Sequence, residues 1–160
     1  ADTMYPPHYI DTHVRNLMKP GVACTFSLWS FIPDKRHSRL GLWLYECLRD
    51  LHLSIQAIKR PELCVRGMTF GFNTELGRLF GFRTDIRRGE DGSLALAMKP
   101  YGRLIFITSR KARALTSNST IDADGSLARS FGVRLLKALK GATGLLYKKT
   151  TYKDKDSNLL

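Results

Sequence analysis

Cysteine is scarce in this chain. There are three in 160 residues, Cys24, Cys47 and Cys64, an odd number with neither metal nor redox spacing. They read as core thiols in a reducing compartment. The four histidines, His8, His13, His37 and His52, have no ligand spacing with one another or with the cysteines, so no metal is expected. No phosphate-binding loop, nucleophile elbow or zinc-protease helix is present. Glu46 and Asp50, one helical turn apart, are expected to pair with Arg49 or Lys59 rather than to work as a catalytic couple. Nothing argues for an enzyme, and no cofactor is expected. No apolar run approaches the ~20 residues of a membrane span, and the start does not read as a secretory signal. The first residue is Ala1 rather than Met, which points to a trimmed, processed or excerpted N-terminus.

Acidic residues are also scarce over part of the chain. The net charge is +12. Residues 1–91 carry 13 Lys/Arg and 10 Asp/Glu, whereas residues 92–153 carry 12 Lys/Arg against only Asp122 and Asp124. A block of net +10 attracts phosphate surfaces, whether anionic lipid or nucleic acid.

What the chain does have is one long amphipathic stretch, Ser38 to Ile58. Leu40, Leu44, Cys47, Leu48, Leu51, Ile55 and Ile58 recur at steps of three and four, one stripe of an α-helix. Asp34 or Ser38 caps its start, and Pro61 lies just past its end. Trp43, Leu42 and Leu53 broaden the stripe, so this helix is expected to bury that face against a sheet. The expected fold class is α+β: an antiparallel sheet meander packed on one long central helix, with a second C-terminal helix. The expected strands are Val22–Ile32, Leu63–Phe72, Leu79–Ile86, Leu94–Met98 and Leu104–Thr108, with a hairpin loop over Arg87–Gly92. A polar loop over Arg110–Gly125, a helix over Leu127–Lys140 and a last strand over Leu145–Tyr152 follow. Gly67, Gly71, Gly77 and Gly81 suggest bulges or a helix lying close over the sheet. Residues 1–20 read as a flexible arm, 21–153 as one globular domain and 154–160 as a short tail.

The arm contains Pro6-Pro7-His8-Tyr9, a Pro-Pro-x-Tyr motif. Two prolines favour the polyproline II conformation that aromatic-lined WW-domain grooves accept, with Tyr9 filling a neighbouring pocket. Pro6, Pro7 and Tyr9 are therefore the candidate WW-binding residues. For phosphate or membrane contact the candidates are Arg110, Lys111 and Arg113 in the loop, Lys137 and Lys140 on the second helix, and Lys148 and Lys149 on the last strand. Tyr5, Tyr9 and Ile10 are the candidate self-association residues.

The order of arm, strand, long helix, Lys59-Arg60-Pro61 break, meander, polar loop, helix and strand resembles the matrix proteins of rhabdoviruses. Tyr9-Ile10-Asp11-Thr12 precedes the first strand much as an Asp-Thr segment does in that family. The chain lacks the Lys-rich extreme N-terminus of the animal-virus members, so membrane contact falls to other residues. The resemblance implies a structural protein of the virion, beneath the envelope, found also in host cytoplasm and on the inner face of host membranes. Its implied partners are anionic membrane lipids, the viral nucleocapsid, WW-domain ubiquitin ligases recruited for budding, and further copies of itself. The competing reading of the same charge is a small basic RNA-binding viral accessory protein, with Trp29, Trp43, Phe70, Phe80 and Tyr101 as stacking candidates.

Overall fold

A computed structural model of the chain describes residues 3–34, 37–86 and 89–118, together with Arg129 and Gly132. The expected helix over Leu127–Lys140, the last strand, and Lys137, Lys140, Lys148 and Lys149 with them lie outside those residues, Arg129 and Gly132 apart. The class is mixed α+β. Among the described residues there are four helices and six short strands in two three-stranded sheets.

The centre of the molecule is a strand, not the long helix. Strand β2, Val22–Ser27, is buried at all six positions. A strand buried on both faces reads as a continuous apolar and small run, as Val-Ala-Cys-Thr-Phe-Ser does. It pairs antiparallel with β4, Phe70–Phe72, and parallel with β5, Arg103–Ile107. The second sheet takes β1, Thr3–Met4, then β6, Ala114–Thr116, then β3, Trp29–Phe31. There β1–β6 is antiparallel and β3–β6 parallel. The expected antiparallel meander is thus replaced by two small mixed sheets. The expected strand Val22–Ile32 breaks at Leu28, so its two halves, β2 and β3, serve different sheets.

Helix α1, Tyr9–Leu17, lies over β2 and β4. It occupies the segment expected to be a flexible arm. His13 is its buried anchor, with Nδ1 2.8 Å from Thr25 Oγ1. The close approach depends on Gly71, where a Cβ would stand 3.0 Å from Thr25 Oγ1 and 3.2 Å from His13 Nδ1. That fits the expectation of a helix close over the sheet.

Helix α2, Arg39–Lys59, matches the expected long helix in extent. Ser38 caps it, its side chain accepting from Gly41 N–H at 3.0 Å. Its buried face is the expected one only at Leu42 and Leu53, and the main stripe faces out. Leu42, Tyr45 and Leu53 face inward, whereas Leu40, Leu51 and Ile58 are 66%, 60% and 79% exposed. Leu44, Cys47, Leu48 and Ile55 are exposed with them.

Neither of two further expected strands forms: Leu79–Ile86 is the end of a helix followed by chain in neither helix nor strand up to an isolated bridge at Ile86, and Leu94–Met98 is helical. The first helix is α3, Thr74–Phe80, capped by Asn73, whose side chain accepts from Glu75 and Leu76 N–H. It stops at Gly81, which takes φ +63°. Leu94–Met98 belongs to α4, Glu90–Met98. Short apolar runs do not distinguish a buried helix from a strand by period. Here the acidic first turn, Glu90 and Asp91, and the run Leu-Ala-Leu-Ala-Met favour the helix. Asp91 also accepts from Gly67 N–H at 2.7 Å, fastening α4 to the 67–69 turn. The expected strand Leu63–Phe72 is two 3-10 turns, Pro61–Cys64 and Gly67–Thr69, ending in β4. Phe26, Leu94 and Met98 are the largest fully buried side chains of the core. Cys24 and Cys64 are buried there, and burial pushes both thiols up to about 12. Cys47, expected in the core, is on the surface.

Candidate functional site

The Pro-Pro-His-Tyr motif is a folded turn rather than an extended peptide. The chain turns at Pro7-His8, and Tyr9 N–H donates to the Pro6 carbonyl at 2.9 Å. Proline at a helix entrance removes a donor that the helix does not use. Pro7 and His8 are exposed and Pro6 half-buried. Tyr9 packs against the core, between the Tyr5 and His13 rings with centroids 4.5 Å away on each side. Its hydroxyl donates to the Met68 carbonyl at 3.3 Å. Burial raises its pKa to about 12, with neighbouring Tyr5 adding to the rise. The self-association candidates therefore split: Tyr5 and Ile10 are exposed, and Tyr9 is held inward. Ile10, Val14 and Met18 form an exposed apolar stripe one helical turn apart at each step. The sequence reading singled out only the first of them.

The basic loop candidates split too. The chain from Arg110 to Ala112 is a 3-10 turn packed against α1, the helix that begins at Tyr9 of the motif. Ser109 orders the turn by accepting from Lys111 N–H at 3.3 Å. Arg110 and Lys111 are exposed. Arg113 is not available to a membrane. Its guanidinium reaches Asp50 at 2.5 Å, Glu46 at 3.6 Å and Ser30 Oγ at 3.1 Å. Glu46 in turn accepts from Phe31 N–H at 2.7 Å and Ser30 Oγ at 2.8 Å, and Arg49 pairs with Asp50 at 2.7 Å. Arg49 also lies over the Trp29 ring, 4.4 Å from its centroid. Of the carboxylates expected to pair with Arg49 or Lys59, Asp50 pairs with Arg49, and Glu46 acts on it through its charge. The cation that both reach is Arg113, 63 residues away from Asp50, a partner that helical spacing does not reveal.

Of the aromatic stacking candidates, Trp43 and Tyr101 are exposed, Trp29 is buried beneath Arg49, and Phe70 and Phe80 are packed against the core. Among the described residues no three His, Cys, Asp or Glu side chains gather in a metal-holding group. Nor is any described helix long and apolar enough to cross a membrane. In comparisons with protein-family models, curated proteins and solved structures, nothing matches this chain.

Proposed function

We propose that this protein is a viral matrix protein of the rhabdovirus type, a non-enzymatic structural protein that binds anionic membrane and nucleocapsid, self-associates and recruits WW-domain ligases for budding. The observation that carries the reading is that α1 begins at the Tyr of the Pro-Pro-x-Tyr turn and packs against the exposed basic turn Arg110–Lys111. A budding motif has to be reachable on a membrane-bound protein: Pro7 is exposed already, and Tyr9 becomes reachable when the start of α1 opens. The charge block from residue 92 onward supplies a field for phosphate surfaces. With Arg113 committed to Asp50, the described part of the membrane surface reduces to Arg110 and Lys111.

The RNA-binding reading has one observation in its favour: Tyr101 is exposed between Lys99 and Arg103 in sequence, a base-stacking ring among cations. Co-sedimentation with phosphatidylserine vesicles, set against binding to single-stranded RNA of arbitrary sequence, separates the two. The matrix reading expects vesicle capture that needs anionic lipid and falls several-fold in Arg110→Glu/Lys111→Glu. Tight RNA binding with no vesicle capture would replace it with the RNA-binding reading.

A further inference from the structure

The outward face of α2 is the largest feature that neither the core nor the proposed function uses. At about 100° per residue, Leu40, Leu44, Cys47, Leu51 and Ile58 fall within roughly 60° of one another, on the side opposite Arg49. Leu48, Ile55 and Trp43 flank them. All are exposed. The stripe runs the length of the helix, and the 4-3-4 spacing from Leu40 through Leu51 is that of a helix–helix seam.

We infer that this stripe is a homotypic interface, α2 packing on α2 of a second copy of the chain. Area is the first argument. Eight side chains, exposed Cys47 and seven others from nearly half to about four-fifths exposed, present on the order of 800 Å², the share one partner contributes to a stable protein–protein interface. Symmetry is the second. Antiparallel packing about a two-fold axis through the middle of the helix sets Leu40 against Ile58, Trp43 against Ile55 and Cys47 against Leu51. An isologous contact requires such self-complementarity, and antiparallel helices also oppose their dipoles. Charge is the third. Arg39 and Lys59 stand only at the two ends, and Arg49, Glu46 and Asp50 point into the protein, so no charge is desolvated. A helix adapted to an anionic membrane instead carries Lys and Arg along its free polar face. In α2 that face is turned inward. The inference stands on α2 alone and does not depend on the matrix reading.

The test is sedimentation equilibrium of the full chain from about 1 µM to about 100 µM, parent against Leu44→Glu/Leu51→Glu. Both positions are already exposed, so the variant should keep its circular dichroism and melting curve. The parent should dimerise, and the variant's dissociation constant should rise at least about 100-fold. Labelling of the exposed Cys47 thiol should slow as the parent concentration rises and should not slow in the variant. A parent that stays monomeric throughout overturns the inference, as does a variant that dimerises equally well. Cys47 protected equally at the lowest concentration would mean that the chain's own 127–140 segment covers the stripe. A monomeric parent whose vesicle capture is lost in the variant would mean that a membrane does. Either result also overturns it. Vesicle capture lost only in Arg110→Glu/Lys111→Glu bears on the matrix reading alone.

Discussion

At the scale of single residues, two side chains fix the sheets to their helices. His13 is 5% exposed, and burial lowers its pKa to about 4. Its Nδ1 meets Thr25, while Nε2 is buried with no partner, so a second ring proton would be a charge with nothing to receive it. The unfolded chain protonates near 6.5 and the folded one near 4, so the unfolded state binds more protons between those values. The contribution is therefore complete above pH 6.5 and is lost as pH falls toward 4, by roughly 3 kcal/mol in full. Urea titrations across that window should show the decline, and His13→Gln should flatten it. An NMR titration midpoint near 6.5 for His13 would refute the buried neutral ring. Arg113 is the second case. Removing it leaves Glu46 and Asp50 with Arg49 as their remaining cation, a loss of about 2–3 kcal/mol given that the network is only partly buried. Arg113→Ala should lower the denaturant midpoint by that amount, and Arg113→Lys should restore only part, since Lys cannot contact three acceptors as a planar fork. An unchanged midpoint would place Arg113 on the free surface after all.

At the scale of elements, α1 decides how the Pro-Pro-x-Tyr motif can be read by a partner. A WW groove takes an extended segment, and here Tyr9 is the first residue of a helix and bonds the Met68 carbonyl. The binding-competent form is thus a minor state in which the start of α1 has opened, and apparent affinity falls by its population. A peptide covering residues 1–14 should bind an isolated WW domain at least tenfold more tightly than the full chain does. Pro7→Ala should abolish both. Equal affinities would show that the turn opens at negligible cost, and no binding by the peptide would remove the budding motif from the proposal. The arm reading failed for a physical reason. Residues 9–17 have little helical signal of their own beyond Asp11 and Arg15 at i,i+4, which pair at 3.0 Å. The helix is held by His13 and Tyr9 packing on strands that come later in the chain.

At the scale of the whole molecule, the +12 charge makes binding to any phosphate surface depend on salt. Vesicle capture through Arg110 and Lys111 should fall steeply between about 0.1 M and about 0.5 M salt, as the Debye length shrinks. Capture that persists would point to apolar insertion by Ile10, Val14 and Met18, which share α1 with the motif. The charge asymmetry, the α+β class, the span of α2 with Ser38 as one of two cap candidates, and β5 were all legible in the sequence. Each rests on local chemistry: counted charges, a three-and-four period, a capping hydroxyl, a short apolar run after Gly102. The period of α2 was legible, but not its direction. The helix has two apolar sides: of the residues expected inward, Leu42 and Leu53 are buried, and the stripe from Leu40 to Ile58 faces out. Leu42, Tyr45 and Leu53 bind inward with Glu46 and Asp50 because Arg113 and the Phe31 N–H, distant in sequence, satisfy those carboxylates. A free-standing helix would bury its Leu-rich stripe first. Only the tertiary fold, by supplying partners to the charged side, leaves that stripe facing solvent.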